Sequence, residues 1–270
     1  MLSAQHVCLV ITTYNRVDSL VLVLLALAEQ DIQGFQVVVA DDGSAPATRQ
    51  QVEKLSLPYT LNYVWQADNG FRAGQVRNLA LHQIQRDYVI FLDGDTVPQG
   101  DFIRRHCQLA EIGYFVAGHR ILCQPAFTQK ITQQQLPLWQ WSMTAWLWAY
   151  INRDINHILG FLHLPDGSWR KRKQSWQGAI SCNLGIWLAD LITVNGFEQQ
   201  YQGWGHEDAD LVVRLLRAGV QRKSGRFATA VLHLWHKEND RRHEAQNKQR
   251  LQKVITANHI RAFDGYQENQ

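Results

Sequence analysis

The order of apolar runs in the first third of the chain limits the fold more than any other feature of the sequence. Short runs rich in β-branched residues at 7–12, 36–40 and 88–92 are almost wholly apolar, which is typical of strands buried on both faces. The stretches 17–29 and 72–85 lie between them and predict helices. This alternation predicts an α/β fold with a mostly parallel central sheet and helices on both faces.

The remaining elements are predicted less sharply by the same patterns. An amphipathic helix is expected after the glycine-rich turn at Gly203, with Leu211 and Leu215 on its apolar face. The basic segment Ser168 to Trp176 is expected to be a mobile loop. Further predicted elements are helices at about 47–55 and 101–111, strands at 61–65 and 114–121, and a strand-like run at 228–235.

Composition excludes some classes of function. The 27 Lys and Arg against 24 Asp and Glu give a charge of +3, too small to indicate nucleic acid as the main partner. The four cysteines show no CxxC spacing, which favours a reducing compartment. No apolar run reaches the length of a membrane span, so we expect a cytoplasmic protein, with peripheral association at the inner face of a membrane as an option. Four tryptophans at 139–148 predict either a buried aromatic cluster or a membrane-interface surface, and the buried cluster is favoured.

Polar side chains follow three of the predicted strands. Thr12 and Tyr14, Asp41 and Asp42, and the Asp93-Gly94-Asp95 triplet all come directly at or after strand ends. Because the carboxyl ends of parallel strands meet at one edge of a sheet, these groups are expected to line a single cleft.

The Asp93-Gly94-Asp95 triplet predicts a metal site. Two carboxylates at the end of an apolar strand are costly unless a cation or hydrogen bonds neutralise them. Oxygen ligands suit Mg²⁺ or Mn²⁺, and such an ion usually completes its shell with substrate phosphates. The alternative is an ordinary Asp-Gly turn with solvated acids.

Two further segments suit a nucleotide. Asp41 and Asp42 could accept a base N–H and ribose hydroxyls, although Asp-Gly-Ser is also a turn sequence. The stretch from Asn69 to Asn78 offers a glycine-lined helix start with Arg72 and Arg77 near phosphate charge, or two surface arginines that cap acids. Neither a Walker motif nor a dinucleotide-binding glycine motif occurs.

The stretch Gly203 to Asp210 is the most specific in the chain. It places Glu207 and Asp208 in the first turn of a helix, where ionised carboxylates are favoured, after a glycine-bracketed Trp204. A carboxylate there could deprotonate an acceptor hydroxyl, and the indole could stack on a sugar. Simple helix capping would explain the acids but not the glycines. Downstream, His233 and His236 could complete the metal shell, although a lone histidine is more often structural.

In this order, these motifs resemble the family 2 glycosyltransferases of the GT-A fold, the nucleotide-diphospho-sugar transferase fold. The motifs are VITTYNR, VVVADDGS, NGFRAGQVRNLAL, VIFLDGDTVP and GWGHEDADL, and the resemblance covers roughly residues 6 to 240. The second half is similar to the galactosyltransferase-type region of chondroitin-polymerase-like and β-1,4-galactosyltransferase-like enzymes. The segment 124–176 matches nothing that we can place.

The resemblance implies a role for each matching residue. Asp208 would be the general base and Glu207 its neighbour in the pocket, while Asp95 and His236, with His233 as the weaker candidate, would bind the metal. The acceptor and donor-sugar pocket would include Trp204, Gly205 and Trp176. The nucleotide and donor sugar would be bound by Thr12, Tyr14, Arg16, Asp41, Asp42, Asn69, Arg77, Asp93, Gly94 and Asn183.

These roles together predict an inverting, Mn²⁺- or Mg²⁺-dependent transferase that uses a UDP-sugar and a glycan or lipid-linked acceptor. Galactose or N-acetylgalactosamine is the expected sugar. One GT-A domain is expected over 1–270, with a nucleotide-binding half (1–120), an acceptor-binding and catalytic half (121–240) and a helical tail (241–270). The alternatives are a nucleotidyltransferase, a catalytically silent nucleotide- or sugar-binding module, and a membrane-surface or nucleic-acid-binding protein.

Overall fold

The computed structural model describes residues 2–172, 175–237 and 240–267. Its strands are β1 (Val7–Thr13), β2 (Gln36–Asp41), β3 (Thr60–Trp65), β4 (Tyr88–Asp93), β5 (Thr96–Pro98), β6 (Tyr114–Ala117), β7 (His119–Leu122), β8 (Lys171–Arg172), β9 (Asn183–Trp187), β10 (Gln221–Ser224) and β11 (Ala230–His233). Its α-helices are α1 (Val17–Ala28), α2 (Pro46–Val52), α3 (Ala73–Leu81), α4 (Phe102–Leu109), α5 (Pro125–Gln134), α6 (Met143–Ile151), α7 (Leu188–Thr193), α8 (Glu207–Arg217) and α9 (Glu244–Thr256).

An eight-stranded sheet forms the centre of the molecule, in the order β3-β2-β1-β4-β9-β6-β10-β8. Neighbouring strands from β3 to β4 run parallel, and β9 runs antiparallel to both β4 and β6. A smaller sheet, β5-β11-β7, lies beside it. The predicted α/β architecture with a mostly parallel sheet is therefore confirmed.

The alternation of side chains along β1 explains why helices cover both faces of the sheet. Leu9 and Ile11 belong to one apolar core, and Cys8 and Val10 to the other. The first core includes buried residues of α1, and the second includes those of α3 and α8. A strand with both faces covered must be apolar throughout, as the sequence indicated.

One predicted element is wrong in its extent. The single strand expected at 114–121 is two strands, β6 and β7, which belong to different sheets. The chain turns between them at Gly118, where a Cβ atom would lie 2.1 Å from the side chain of Asn183. A glycine is required because the Asn183 amide occupies that space.

The basic segment 168–176 also differs from the expected mobile loop. Arg170 is fully buried, and its guanidinium donates hydrogen bonds to the carbonyls of Ser224, Arg226 and Leu164. Lys171–Arg172 then pair with β10 as strand β8. In all, five backbone carbonyls accept hydrogen bonds from this guanidinium, so Arg170 is part of the packed structure. Lys173 and Gln174 lie outside the described residues.

The tryptophan-rich segment has both a buried and an exposed side. Trp146 is buried and lies 4.3 Å from the ring of Phe161 and 4.8 Å from that of Trp141, between ring centroids. Trp148 is 65% exposed on the other side of α6, beside the exposed Leu147. In the described part of the chain, no helix combines the length and the apolar character that crossing a bilayer requires.

Candidate active site

The carboxyl edge of the central sheet brings the predicted polar groups together. Thr12 is paired in register with Asp93 on one side of β1 and with Ala40, next to Asp41, on the other. The amide of Gly94 donates to the carbonyl of Thr12 at 2.7 Å, and a Cβ atom at Gly94 would lie 3.1 Å from Thr13 Oγ1. Gly94 therefore allows the ends of β1 and β4 to approach closely.

Asp95 and two histidines form a cluster that could hold a metal. One ligand atom from each of Asp95, His233 and His236 lies within 4.8 Å of the others. The Nε2 atoms of His233 and His236 are 3.8 and 3.5 Å from the Asp95 carboxylate. The smaller sheet produces this arrangement, because β11 places His233 opposite Thr96 and the amide of Leu234 donates to the carbonyl of Asp95.

The donor set fits a divalent cation. Asp95 Oδ1 is buried and has no hydrogen-bond partner among the described residues, so an uncompensated acceptor faces the cluster. Burial lowers the pKa of His233, although the Asp95 charge opposes it, and this favours the neutral imidazole that binds metals. Two imidazoles with one carboxylate suit Mn²⁺ better than Mg²⁺, which takes oxygen ligands. Arg16, which was predicted to bind the nucleotide, lies 3.3 Å from Asp95 Oδ2 and so stands beside the metal-binding carboxylate.

Arg77 is the centre of the acidic cluster, and its expected approach to a base or diphosphate stays a prediction. Its buried guanidinium donates to Thr12 Oγ1 at 2.9 Å, Asp93 at 3.2 Å and Glu207 at 3.3 Å, and lies 3.5 Å from Asp208. Burial disfavours the charge, but the three carboxylates outweigh it and raise the pKa of Arg77. Through these contacts Arg77 links Asp93, on the metal side of the cleft, to Glu207 and Asp208 at the start of α8.

The turn before α8 positions Glu207 and Asp208. Gly203, Gly205 and His206 all have positive φ, and the helix begins directly after them. Glu207 is buried, whereas the Asp208 side chain is 19% exposed and its Oδ1 has no hydrogen-bond donor among the described residues. The next acid, Asp210, accepts from Arg214 and Tyr201 and is structural. Asp208 is therefore the more exposed of the two acids, and its Oδ1 is ion-paired with Arg77 at 3.5 Å without a hydrogen bond.

Burial changes the protonation of this cluster. It raises the pKa of Glu207 from 4.5 to about 7, with the Asp208 charge adding to the effect and Arg77 opposing it. It also raises the pKa of Asp93 to about 6, where Arg77 opposes burial and the charges of Asp95 and Asp208 support it. Both shifts favour the neutral carboxyl forms, which reduces the mutual repulsion of the acids.

Glu207→Gln should remove part of the pH dependence of stability. Because the folded state binds the Glu207 proton more tightly than the unfolded chain does, wild-type stability should fall as the pH rises from 4.5 to about 7. The contribution is on the order of 1–3 kcal/mol. Urea unfolding across this range in EDTA should give a flatter curve for Glu207→Gln. The exposed Glu53→Gln is the control and should follow the wild type; parallel curves for all three proteins would contradict the buried proton.

The residues predicted to bind the nucleotide fall into two groups: some side chains are hydrogen-bonded within the protein, and others are exposed at the rim. Asp41 accepts from Ser44 N at 2.8 Å and from the Tyr63 hydroxyl, and Asp42 accepts from Arg72 N and Gln66. Both acids are buried and fix the turn after β2.

At the rim, Tyr14 is 45% exposed and donates to Asp68, while Asn69 is exposed. Tyr63, Gln66 and Asp68, which hydrogen-bond Asp41, Asp42 and Tyr14, were not predicted from the sequence, because single polar residues in or just after a half-buried strand form no motif.

The structure places Asn183 away from an exposed pocket. It is buried, its amide nitrogen donates to the carbonyls of His119 and Thr229, and its oxygen lies 3.2 Å from His106 Nε2. The side chain therefore helps to join the two sheets, and its expected position near the donor sugar stays a prediction.

The two tryptophans predicted for the acceptor and donor-sugar pocket lie in different surroundings. Trp204 is 36% exposed with Arg241 4.9 Å over its ring, next to Gly205, where a Cβ would meet nothing. Trp176 packs against the core that includes α3 and α8. Trp204 can thus contact a ligand beside the α8 turn.

A GT-A sheet with an acid-histidine cluster at its carboxyl edge is the architecture of a nucleotide-sugar transferase. Residues 8–171 match the model for glycosyl transferase family 2, and residues 168–237 match that described as the N-terminal domain of galactosyltransferase. The chain therefore belongs to glycosyl transferase family 2.

The chain is similar to several curated proteins. It is 25% identical over 256 residues to validoxylamine A glucosyltransferase of Streptomyces hygroscopicus subsp. jinggangensis, covering 87% of this chain and 56% of the relative. It is 27% identical over 230 residues to chondroitin synthase of Pasteurella multocida, covering 78% and 23%, and 34% identical over 110 residues to chondroitin synthase of Escherichia coli, covering 40% and 16%. The chain thus spans about half the length of the first relative and less of the others.

Solved structures share the fold. S. aureus TarS 1-349 in complex with UDP is 16% identical with a TM-score of 0.59, covering 92% of this chain and 64% of that one. The mannosyltransferase PcManGT from Pyrobaculum calidifontis in complex with GDP-Man and Mn²⁺ is 16% identical with a TM-score of 0.55, covering 86% and 58%. At this identity the likeness shows the GT-A fold.

Proposed function

We propose that this chain is an inverting, metal-dependent glycosyltransferase that moves galactose or N-acetylgalactosamine from a UDP-sugar to a hydroxyl of a glycan or lipid-linked acceptor in cell-surface polysaccharide or glycolipid synthesis. One observation carries the proposal: a single buried guanidinium, Arg77, holds Asp93 of the metal-side triplet and the Glu207–Asp208 pair together. This contact supports a single site that contains both the metal-binding groups and the partly exposed carboxylate of Asp208.

The reaction proposed for this site needs few steps from the protein. Asp208 takes the proton of the acceptor hydroxyl while that oxygen attacks the anomeric carbon of the donor from the face opposite UDP. The bond to the UDP oxygen breaks as the new bond forms, so a UDP-α-sugar gives a β-linkage. A bound divalent metal at Asp95, His233 and His236 would offset the charge of the diphosphate leaving group. Arg77 holds Asp208 in place and offsets its charge.

The comparisons support the parts of this proposal unequally. The match of residues 168–237 to a galactosyltransferase domain supports the sugar. TarS structures with UDP and with UDP-GlcNAc support a UDP-sugar donor, and the Mn²⁺ complex of PcManGT supports the metal. Family membership favours sugar transfer over nucleotidyl transfer, and the intact acids argue against a silent module.

The proposal also covers the division of the chain, its cellular setting and its contact with a membrane. We assign nucleotide binding to 1–120, acceptor binding and catalysis to 121–240, and a tail to 241–270, in which α9 packs against α8. Four free, buried cysteines support a reducing, cytoplasmic setting. The exposed side of α6, with Leu147, Trp148 and Ile151, supports peripheral contact with a membrane that carries the acceptor.

Donor hydrolysis tests the proposal without a known acceptor. UDP release is measured from UDP-galactose, UDP-N-acetylgalactosamine, UDP-glucose and UDP-N-acetylglucosamine, each with Mn²⁺ and with EDTA. We expect Mn²⁺-dependent release from one of the two galactose-configured donors. Release only from the glucose-configured donors would refute the sugar assignment. If no donor is hydrolysed and UDP does not bind, the reaction class itself is wrong.

A further inference from the structure

A groove of about 1000 Å³ lies on the outer side of α3, away from the side that carries Arg77. One wall is formed by Gln75 and Leu79 of α3 and by His82, directly after its end. The other wall is formed by Arg261, Tyr266 and Gln267 of the segment after α9. None of these residues belongs to the metal cluster or the acids around Arg77, so the groove is a separate feature.

Specific contacts hold the walls of the groove in place. Tyr266 and His82 stack directly on each other, with ring centroids 4.3 Å apart and planes 28° from parallel, and so join the two walls. The backbone amide of Tyr266 donates to Asn195 O at 2.9 Å, and a Cβ on Gly265 would lie 2.1 Å from the same oxygen. The far wall is thus fixed against the loop after α7 by contacts that allow little movement.

The chemistry of the lining is that of amides and aromatic rings. Five side-chain amides line the groove, those of Gln66, Gln75, Asn78, Gln199 and Gln267, and the described lining contains no carboxylate. The Asn78 amide is buried and bonded to the Phe197 backbone, and Gln199 donates to Gly265 O, whereas the Gln75 side-chain amide makes no hydrogen bond within the described residues. Each amide has both donors and an acceptor, which matches neighbouring hydroxyl groups.

Other ligand classes fit less well. Phosphate groups need several cations or free backbone amides, but Arg261 is the one arginine or lysine of the described lining, and it donates to Ile192 O, Thr193 O and Gln267. An amphipathic helix needs an apolar wall, and Leu79 alone supplies one. A hydroxyl-rich ligand with apolar ring faces satisfies both the amides and the stacked aromatic pair.

We propose that this groove between α3 and residues 261–267 is a second carbohydrate-binding site, which holds a saccharide chain outside the catalytic cleft. One end of the groove reaches the carboxyl edge of the sheet, because Gln66 lines it and donates to Asp42 and Arg72 O. A chain bound there stays on the enzyme surface beside the donor end of the cleft. The site does not depend on the catalytic role of Asp208.

Glycan binding to the whole protein tests the site. The wild type and the variants Tyr266→Ala and Gln75→Ala are applied to an immobilised panel of bacterial and animal oligosaccharides, with UDP and Mn²⁺ at saturation. The affinity for the bound glycans should fall about 3- to 10-fold in Tyr266→Ala, from lost stacking. Gln75→Ala should lower it in the same glycans. Gln83→Ala, a glutamine just beyond α3 and outside the groove, and Tyr150→Ala on α6 are the matched controls and should bind as the wild type does.

UDP release from the best donor is measured in parallel and should be unchanged in both groove variants, which separates this site from the catalytic assignment. Thermal unfolding of each variant identifies any loss that comes from misfolding, and Gln75→Ala removes only a partly exposed amide. No binding to any glycan, or equal binding by the wild type and both groove variants, would overturn the proposal.

Discussion

Asp208→Asn is expected to lower sugar transfer by about 10²–10⁴-fold while UDP binding stays within about twofold of the wild type. The amide keeps the shape of the side chain but cannot take a proton from the acceptor. The fold should tolerate the change, because Arg77 retains Asp93 and Glu207 as charged partners. Transfer rates are measured with the donor found by hydrolysis, and UDP affinity by calorimetry.

Asp210→Asn, two residues along the same helix, is the matched comparison. Asp210 is buried against Arg214 and Tyr201, so this variant should lose stability through an uncompensated guanidinium. If Asp208→Asn instead lost UDP binding in proportion to transfer, Asp208 would be a structural residue and the general base would have to be sought elsewhere.

Asp95→Ala is expected to lower metal-dependent donor turnover by about 10²–10³-fold, the rate equivalent of several kcal/mol of leaving-group stabilisation. The variant removes the carboxylate on which both imidazoles converge and leaves Arg16 in its place, a cation that repels the metal. Turnover is measured over a range of Mn²⁺ concentrations, so that weaker metal binding is seen as a shift of the midpoint.

Asp31→Ala is the control for this change, because Asp31 also pairs with an arginine, Arg104, but lies outside the site. It should leave turnover and its Mn²⁺ dependence unchanged. Wild-type turnover by Asp95→Ala would remove Asp95 from the metal site.

The sequence predicted the parts of the fold that depend on local patterns. The strand–helix alternation over 7–93 and the helix after Gly203 follow from apolar periodicity, which is set by the geometry of each element. The convergence of Thr12, Asp41 and Asp93 follows from the parallel order of β2, β1 and β4. The sequence also named Asp95, His233 and His236 together, and the structure brings these three residues to one place.

The errors concern long side chains whose partners are distant in sequence. The contact of Arg77 with Glu207 was not predicted, because the two residues are 130 positions apart and no local pattern records the contact. Arg170 lies in a basic run that is typical of a solvated loop, yet carbonyls near 224–227 surround it. The break at Gly118 depends on the Asn183 side chain, so the run 114–121 by itself looked like one strand.

UDP binding with and without Mn²⁺ tests the central claim most directly, since it needs neither the sugar nor the acceptor. Calorimetric titration of the wild type with UDP should show clear binding in Mn²⁺ that is lost in EDTA, and Asp95→Ala should show the EDTA result under both conditions. Equal UDP affinity in Mn²⁺ and EDTA, or no binding in either, would contradict a metal-dependent nucleotide-sugar site at Asp95, His233 and His236.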